Sequence, residues 1–473
     1  MQEQIQRGRI KMADERQEVM SVNEIALAER IMGFYRRSWG DKHRRGLFDL
    51  WENIESYWEG NPRAASSSGD PNSNVNIVHP NIEGQVALLM SEDIEFDVKP
   101  VRPSDSEHVA QAKGTLDWVL AKNKLKRTID MHERRREKFG TGILRVLYDP
   151  DAASGGMPII ESVNPAYVFT DPAITDVYKI QQGEFIIETL LKPVGWARGR
   201  FGEKRGGVIR SGVDPMNSYI FDENNGGNYL HMMAWMRTDG KLRLVQMSGC
   251  GVILSDSFQE MNGESFYPGG EYPYFFTPLY IREGSVWAKG DAELLLSLQD
   301  LVDELDDQIR INARLSGNPQ RLVDISSNID LDRWTNESGL IIPTSDIHGV
   351  RYLAPPEMPS YPMARRNMAL QFERQMVTRF SDQMGGHLAR RQTTATETTA
   401  LLEQGDYTLR HKIALLEDTL GEVGAYVLRL VREYDGMERA FRLDNGDFAT
   451  WRGSDLKGAE FDVVARLGRL VEI

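Results

Sequence analysis

The residues best equipped for chemistry in this chain are an acidic run, a lone cysteine and a pair of adjacent arginines. Asp303-Glu304-Leu305-Asp306-Asp307 puts Asp303 and Asp307 four apart, on one helical face, where a metal-dependent nuclease could hold a cation. No histidine or further carboxylate stands at usable ligand spacing beside them, so a solvated helix face is the simpler reading. Cys250 is the only cysteine and lies between Gly249 and Gly251 with no evident activating base; a small residue in a turn accounts for it. A single cysteine also excludes an internal disulfide and any cysteine-built metal site. Asp222-Glu223-Asn224-Asn225-Gly226 begins like a calcium loop, but its twelfth position is Met233 where a bidentate glutamate is needed. Gly240-Lys241 is followed by leucine and forms no phosphate-cradling loop, and no H-E-x-x-H occurs. The expectation is a chain with no catalytic residues, no metal and no cofactor. Arg390 and Arg391, with His387 and Gln392, follow Gly385-Gly386, whose freedom of backbone marks a movable loop.

Composition sets wider bounds. The 473 residues suffice for two or three packed layers or domains, and 41% apolar with 27% charged residues is ordinary for a globular protein. No stretch approaches the roughly 18 uncharged apolar residues of a membrane span, and Met1 to Arg16 is too polar for a signal peptide. These features, with the cysteine usage, lead to the expectation of a reducing cytoplasm. A net charge of −14 argues against wrapping DNA by overall charge, though it permits surrounding DNA without gripping it.

The positioning elements follow from periodicity. Ala26, Leu27, Ile31, Phe34, then Leu47, Leu50, Ile54 and Trp58 predict helices that Gly60-Asn61-Pro62 ends. A helix over His79 to Glu92, a strand over Ile94 to Val98 and a helical stretch over Ser106 to Lys138, broken near Asn123, come next. Strands are predicted at Gly142–Tyr148, Pro158–Phe169 and Glu184–Leu191, and residues 205–280 read as β-rich. The first 280 or so residues therefore predict a mixed α+β domain.

The second half changes character. Asp291 can cap a helix whose apolar face is Leu294, Leu298, Leu301, Leu305 and Ile309, ended by Gly317-Asn318-Pro319. Short strand-like pieces fill Arg321 to Pro359, and a second helix runs from Ser360 to Met384. Thr394-Ala395-Thr396-Glu397 fits a capping box opening a third helix. Its apolar positions Leu409, Ile413, Leu416, Leu420, Val423, Val427, Leu430 and Tyr434 keep step to Asp435, a length of about 60 Å.

That order of elements resembles the portal proteins of tailed bacteriophages. Leu298-Gln299-Asp300 through Asn312-Ala313-Arg314 is similar to a portal's first stem helix, and Arg390-Arg391-Gln392-Thr393-Thr394-Ala395-Thr396-Glu397 to the segment after its channel loop. Trp51 to Gly60, Asn76-Ile77-Val78 through Leu88-Leu89, Gly140-Thr141-Gly142 and Asn164-Pro165 to Asp171-Pro172 resemble the family's wing. The resemblance implies an α+β portal fold: wing at 1–286, first stem helix at 287–316, small α/β clip at 317–359, second stem helix at 360–384, channel loop at 385–393, long wing helix at 394–435 and returning strands at 436–473. Portal chains usually continue into a helical crown; here the crown is expected to be reduced or the chain truncated.

The resemblance further implies a ring of twelve subunits at one capsid vertex of the virion, assembled in a host cytoplasm. Double-stranded DNA would pass its channel during packaging and ejection. The terminase large subunit, a head–tail adaptor, and the major capsid and scaffolding proteins would be its partners, with no membrane involved. Gly385, Gly386, His387, Arg390, Arg391 and Gln392 would form the loop nearest DNA, the alternative being that Arg390 and Arg391 pair with neighbouring carboxylates at a subunit interface. Asp303, Asp306 and Asp307 would line the channel and keep the duplex centred. Trp334, Ile341, Ile342 and Pro343 would form a contact patch on the clip or else pack the core of that small domain. Two other classes compete: a nuclease-like DNA-processing enzyme, which needs a carboxylate or histidine constellation, and a coiled-coil scaffold, which predicts small parallel oligomers.

Overall fold

A computed structural model describes residues 19–60, 75–90, 93–153, 155–209, 211, 227–317, 321–323, 350–352, 360–376, 395–442 and 448–467. In chain order its main elements are α1 (Val22–Arg44), α2 (Leu47–Trp58), α3 (Val78–Leu89), β1 (Ile94–Pro100), α4 (Val109–Asn123) and α5 (Leu125–Phe139). There follow β2 (Thr141–Asp149), β3 (Met157–Val163), β4 (Val168–Thr170), β5 (Phe185–Pro193), α6 (Val194–Gly206), β6 (Asn228–Thr238), β7 (Lys241–Ser248), β8 (Ile253–Asp256) and β9 (Tyr274–Pro278). The rest comprises α7 (Asp291–Gly317), β10 (Arg321–Val323), β11 (Val350–Tyr352), α8 (Tyr361–Met376), α9 (Ala395–Tyr434), β12 (Arg439–Arg442), β13 (Phe448–Trp451) and β14 (Phe461–Leu467). The chain is α+β. It divides into two compact units, one of residues 1–55, 82–293 and 393–473, the other of 56–81 and 294–392.

In the first unit an antiparallel sheet runs in the order β4-β5-β6-β7-β8. Its β6 strand alternates in both directions: Leu230, Met232, Ala234 and Met236 join the core under α1, while Trp235 stacks on Tyr267 on the other side. Ile31, Phe34 and Tyr35 supply the α1 side of that core, with Phe34 stacked on Phe185 at 4.5 Å. A capping box, in which Ser21 and Glu24 satisfy each other's backbone N–H groups, starts α1 where the periodicity begins. Cys250 is buried in the same core, in a turn between β7 and β8.

A second sheet, β3-β2-β9, packs against α5 and α9. The helical break expected near Asn123 is Lys124, held in the left-handed region at φ 51° between α4 and α5. The long strand expected at Pro158–Phe169 is instead two, because Asn164 caps a tight turn over Pro165–Tyr167 that redirects the chain. The 40-residue α9 is the helix that the heptad-like spacing demands; Leu409, Leu416, Leu420, Val423, Val427 and Leu430 are all buried. The antiparallel pair β1-β14 lies against it. Gly421 and Gly424 make that approach possible: a Cβ on Gly421 would stand 2.7 Å from the Val463 carbonyl oxygen, and one on Gly424 2.7 Å from the Val463 side chain.

In the second unit the short antiparallel ladder β10-β11 pairs Arg321 with Tyr352. It connects the end of α7 to the start of α8. Asp222 to Gly226, Thr394 and the stretch 377–384, expected to continue the second helix, lie outside the described residues.

Candidate functional site

The acidic run lies on α7, whose start is fixed within the first unit. Asp291 is the first helical residue, and its carboxylate accepts from Lys412 Nζ of α9 at 2.6 Å rather than serving only as the expected cap. Lys412 also donates to both oxygens of Glu137 on α5, at 3.1 and 3.0 Å. All three are buried. Burial and the neighbouring Asp291 carboxylate push the Glu137 carboxyl up to about 8. Burial pulls the Lys412 ammonium down, but Glu137 and Asp291 outweigh it and hold its pKa above the ordinary value. One turn earlier on α5, burial pushes the Glu133 carboxyl up, and Arg136 with His132 more than reverses this. Arg136 donates to the Lys412 carbonyl at 3.1 Å, and Thr277 joins His132 to Thr419. Three elements distant in sequence are thus tied by buried hydrogen bonds and the Lys412–Asp291 ion pair at the origin of α7.

Within the second unit the run is not a free acidic face. Gln299 donates to Asp303 at 2.9 Å and to the Val75 carbonyl at 2.9 Å, and accepts from the Ile77 N–H at 2.8 Å. Asp303 is 5% exposed, and burial pushes its carboxyl above the ordinary value against the pull of Gln299. Asp306 pairs with Arg366 of α8, Asp307 with Arg310 at 3.1 Å, and Asp300 accepts from the Tyr57 hydroxyl. Two expectations change here. The line that α7 buries is Leu295, Gln299, Val302, Asp303 and Leu305, not Leu294, Leu298 and Leu301, because Gln299 satisfies backbone groups of residues 75 and 77. Asp303, expected on a channel wall, is closed off within its own chain.

The Asp306–Arg366 pair sets the register of the two helices. Asp306 is fifteen residues before Arg321 and Arg366 fourteen after its ladder partner Tyr352, so α7 and α8 return on each other as the arms of a hairpin. Gly385, Gly386, His387, Arg390, Arg391 and Gln392, and the clip residues Trp334, Ile341, Ile342 and Pro343, lie outside the described residues.

Among the described residues no group of histidine, cysteine, aspartate or glutamate side chains could hold a metal ion, and no helix is long and apolar enough to cross a membrane. What the fold defines is a mixed helix-and-sheet protein built on two helical arms and one very long helix. Residues 217–469, more than half of the chain and spanning α7, α8 and α9, match the family model described as Phage SU10 portal protein. The chain belongs to this family of phage portal proteins, components of the capsid vertex that serve DNA packaging and are structural rather than enzymatic. Comparison with curated proteins finds no match.

Proposed function

We propose that twelve copies of this chain form a ring at one capsid vertex, through whose channel DNA enters during packaging and leaves during ejection. The observation that carries this is the family match over the α7–α9 region together with the hairpin of α7 and α8, an arrangement of two arms that repeated copies can set around an axis. In this reading α7 and α8 are the stem, 317–359 the clip, 385–393 the channel loop and α9 the long helix of the wing. The terminase motor and later a head–tail adaptor dock on the clip, through Trp334, Ile341, Ile342 and Pro343.

The stem chemistry suits a conduit. Asp307, with Arg310 beside it, remains the acid for the channel wall, while Asp306 is turned to Arg366 of α8. Such a wall neither binds phosphates densely, which would stall the duplex, nor repels it strongly. Contact with DNA falls to Arg390 and Arg391 of the loop, two cations per subunit for transient phosphate contacts. Negative-stain microscopy of the purified chain tests the ring: class averages should show a hole and twelvefold symmetry, and compact particles without a lumen would rule the proposal out. Replacing Arg390 and Arg391 by alanine should impair DNA packaging while leaving rings intact; undiminished packaging would dismiss the loop's role.

A further inference from the structure

In a chain of net charge −14, the cations Lys122, Lys124, Lys126 and Arg127 crowd around the turn from α4 to α5. Asn123 fixes that turn to β3. Its Nδ2 donates to the Val119 and Pro158 carbonyls at 2.8 and 2.9 Å, and its Oδ1 accepts from the Ile160 N–H at 2.8 Å. Lys124, Lys126 and Arg127 edge a hollow of about 530 Å³ with an apolar floor of Ile94, Phe96, Leu120 and Leu125. Asp93 stands on the β1 side of this hollow and pairs with Lys126 at 2.8 Å. Lys124 and Arg127, on the α5 side, make no ion pair among the described residues.

The end of β14 points into this hollow. Its antiparallel register with β1 sets Leu467 opposite Ile94, so the chain beyond Leu467 is directed past Asp93, which already touches α5 through Lys126. Outside the described residues the sequence goes on as Gly468-Arg469-Leu470-Val471-Glu472-Ile473. Leu470, Val471 and Ile473 gain by leaving water. The two charges match the hollow in order. Arg469 comes first, on the side of Asp93; Glu472 comes five residues after Leu467, a reach of up to about 17 Å, which spans the first turn of α5 with Lys124 and Arg127. Cations alone would suit a phosphate backbone. The apolar floor beside them favours a segment that brings apolar side chains together with a carboxylate.

We propose that residues 469–473 seat in the hollow between β1 and the α4–α5 turn of their own chain. Leu470, Val471 and Ile473 lie on the apolar floor, and Glu472 pairs with Lys124 and Arg127. The segment is a strap that ties β14 to the start of α5. It goes beyond the reading of the chain as a portal subunit and does not depend on it, because one chain carries both the strap and its seat.

Deleting residues 469–473 from the otherwise full-length chain leaves β14 whole and tests this by hydrogen exchange. Amides at the start of α5 and the start of β1 should exchange several-fold faster in the deletion variant than in the wild type. Unchanged rates overturn the proposal; if a 30-base-pair duplex slows them instead, the cations serve phosphates. A cysteine pair in the full-length chain, Ala121→Cys with Val471→Cys, supplies a second measurement. Ala121 is exposed and lines the hollow, and neither substitution removes a charge. The native Cys250, 4% exposed, stays in place. Mild oxidation should join the pair within one chain, read by mass spectrometry of tryptic peptides from a mixture of labelled and unlabelled protein. Glu29→Cys on α1, an exposed position, with Val471→Cys is the control. Linkage no faster than in the control, or linkage only between labelled and unlabelled chains, also overturns the proposal.

Discussion

Glu137 makes stability of the first unit depend on pH in a direction that can be worked out. Its carboxyl ordinarily titrates near 4.5 and here near 8, raised by burial and by Asp291. A folded pKa above the unfolded one means that the folded chain binds the proton more tightly. The stabilisation is fully present below about pH 4.5 and is lost as pH rises through about 8. Over that window the slope approaches about 1.4 kcal/mol per pH unit, so about 2 kcal/mol goes between pH 5.5 and 7.5. Glu137→Gln keeps the shape, stays neutral and still offers an oxygen to Lys412. The melting temperature of the variant relative to wild type should therefore rise with pH, by about 3 °C across this interval for a unit of this size. Comparing the two proteins cancels titrations away from the Glu137–Lys412–Asp291 cluster, including that of Lys42, whose burial drives its own pKa well below the ordinary lysine value. Differential scanning fluorimetry from pH 5 to 8 reads the effect. Parallel curves for the two proteins would refute the reasoning, because they would mean that Glu137 is already ionised beside Lys412.

Other expectations follow from single contacts. Gln299→Ala strips partners from the Ile77 N–H, the Val75 carbonyl and Asp303, and should cost about 2–3 kcal/mol by chemical denaturation. Gly421→Ala should destabilise by about 1–3 kcal/mol despite better helix propensity, since its Cβ would meet the Val463 carbonyl; hydrogen exchange should rise in β1 and β14. Lys42→Ala should cost about 3 kcal/mol by thermal or denaturant melting, because Lys42 donates to the Pro165 and Ala166 carbonyls and is ringed by Phe48, Trp51, Phe169 and Trp287.

What the sequence disclosed depends on the range of the forces concerned. The long helix α9 was legible to within a residue at its visible end, because one face of its second half is buried turn after turn and the apolar spacing records that. The strands β2 and β5 were legible for the same local reason. On α7 the local rule misled: leucines suggested one buried line, while tertiary hydrogen bonds from residues 75 and 77, more than 220 positions away, turned Gln299 and Asp303 inward. The Glu137–Lys412–Asp291 cluster had no sequence signal, since its members are 121 and 275 positions apart and each looks like an ordinary surface charge until the helices meet. Lys42 carried no mark either: a lysine in an amphipathic helix is expected to reach water, not a cage of rings.

Native mass spectrometry of the intact chain, purified at neutral pH and physiological salt, tests the central claim most directly. Twelve copies of a 53.7 kDa chain give an assembly of about 640 kDa, and that species should dominate. A spectrum confined to monomers or small parallel oligomers would contradict the account.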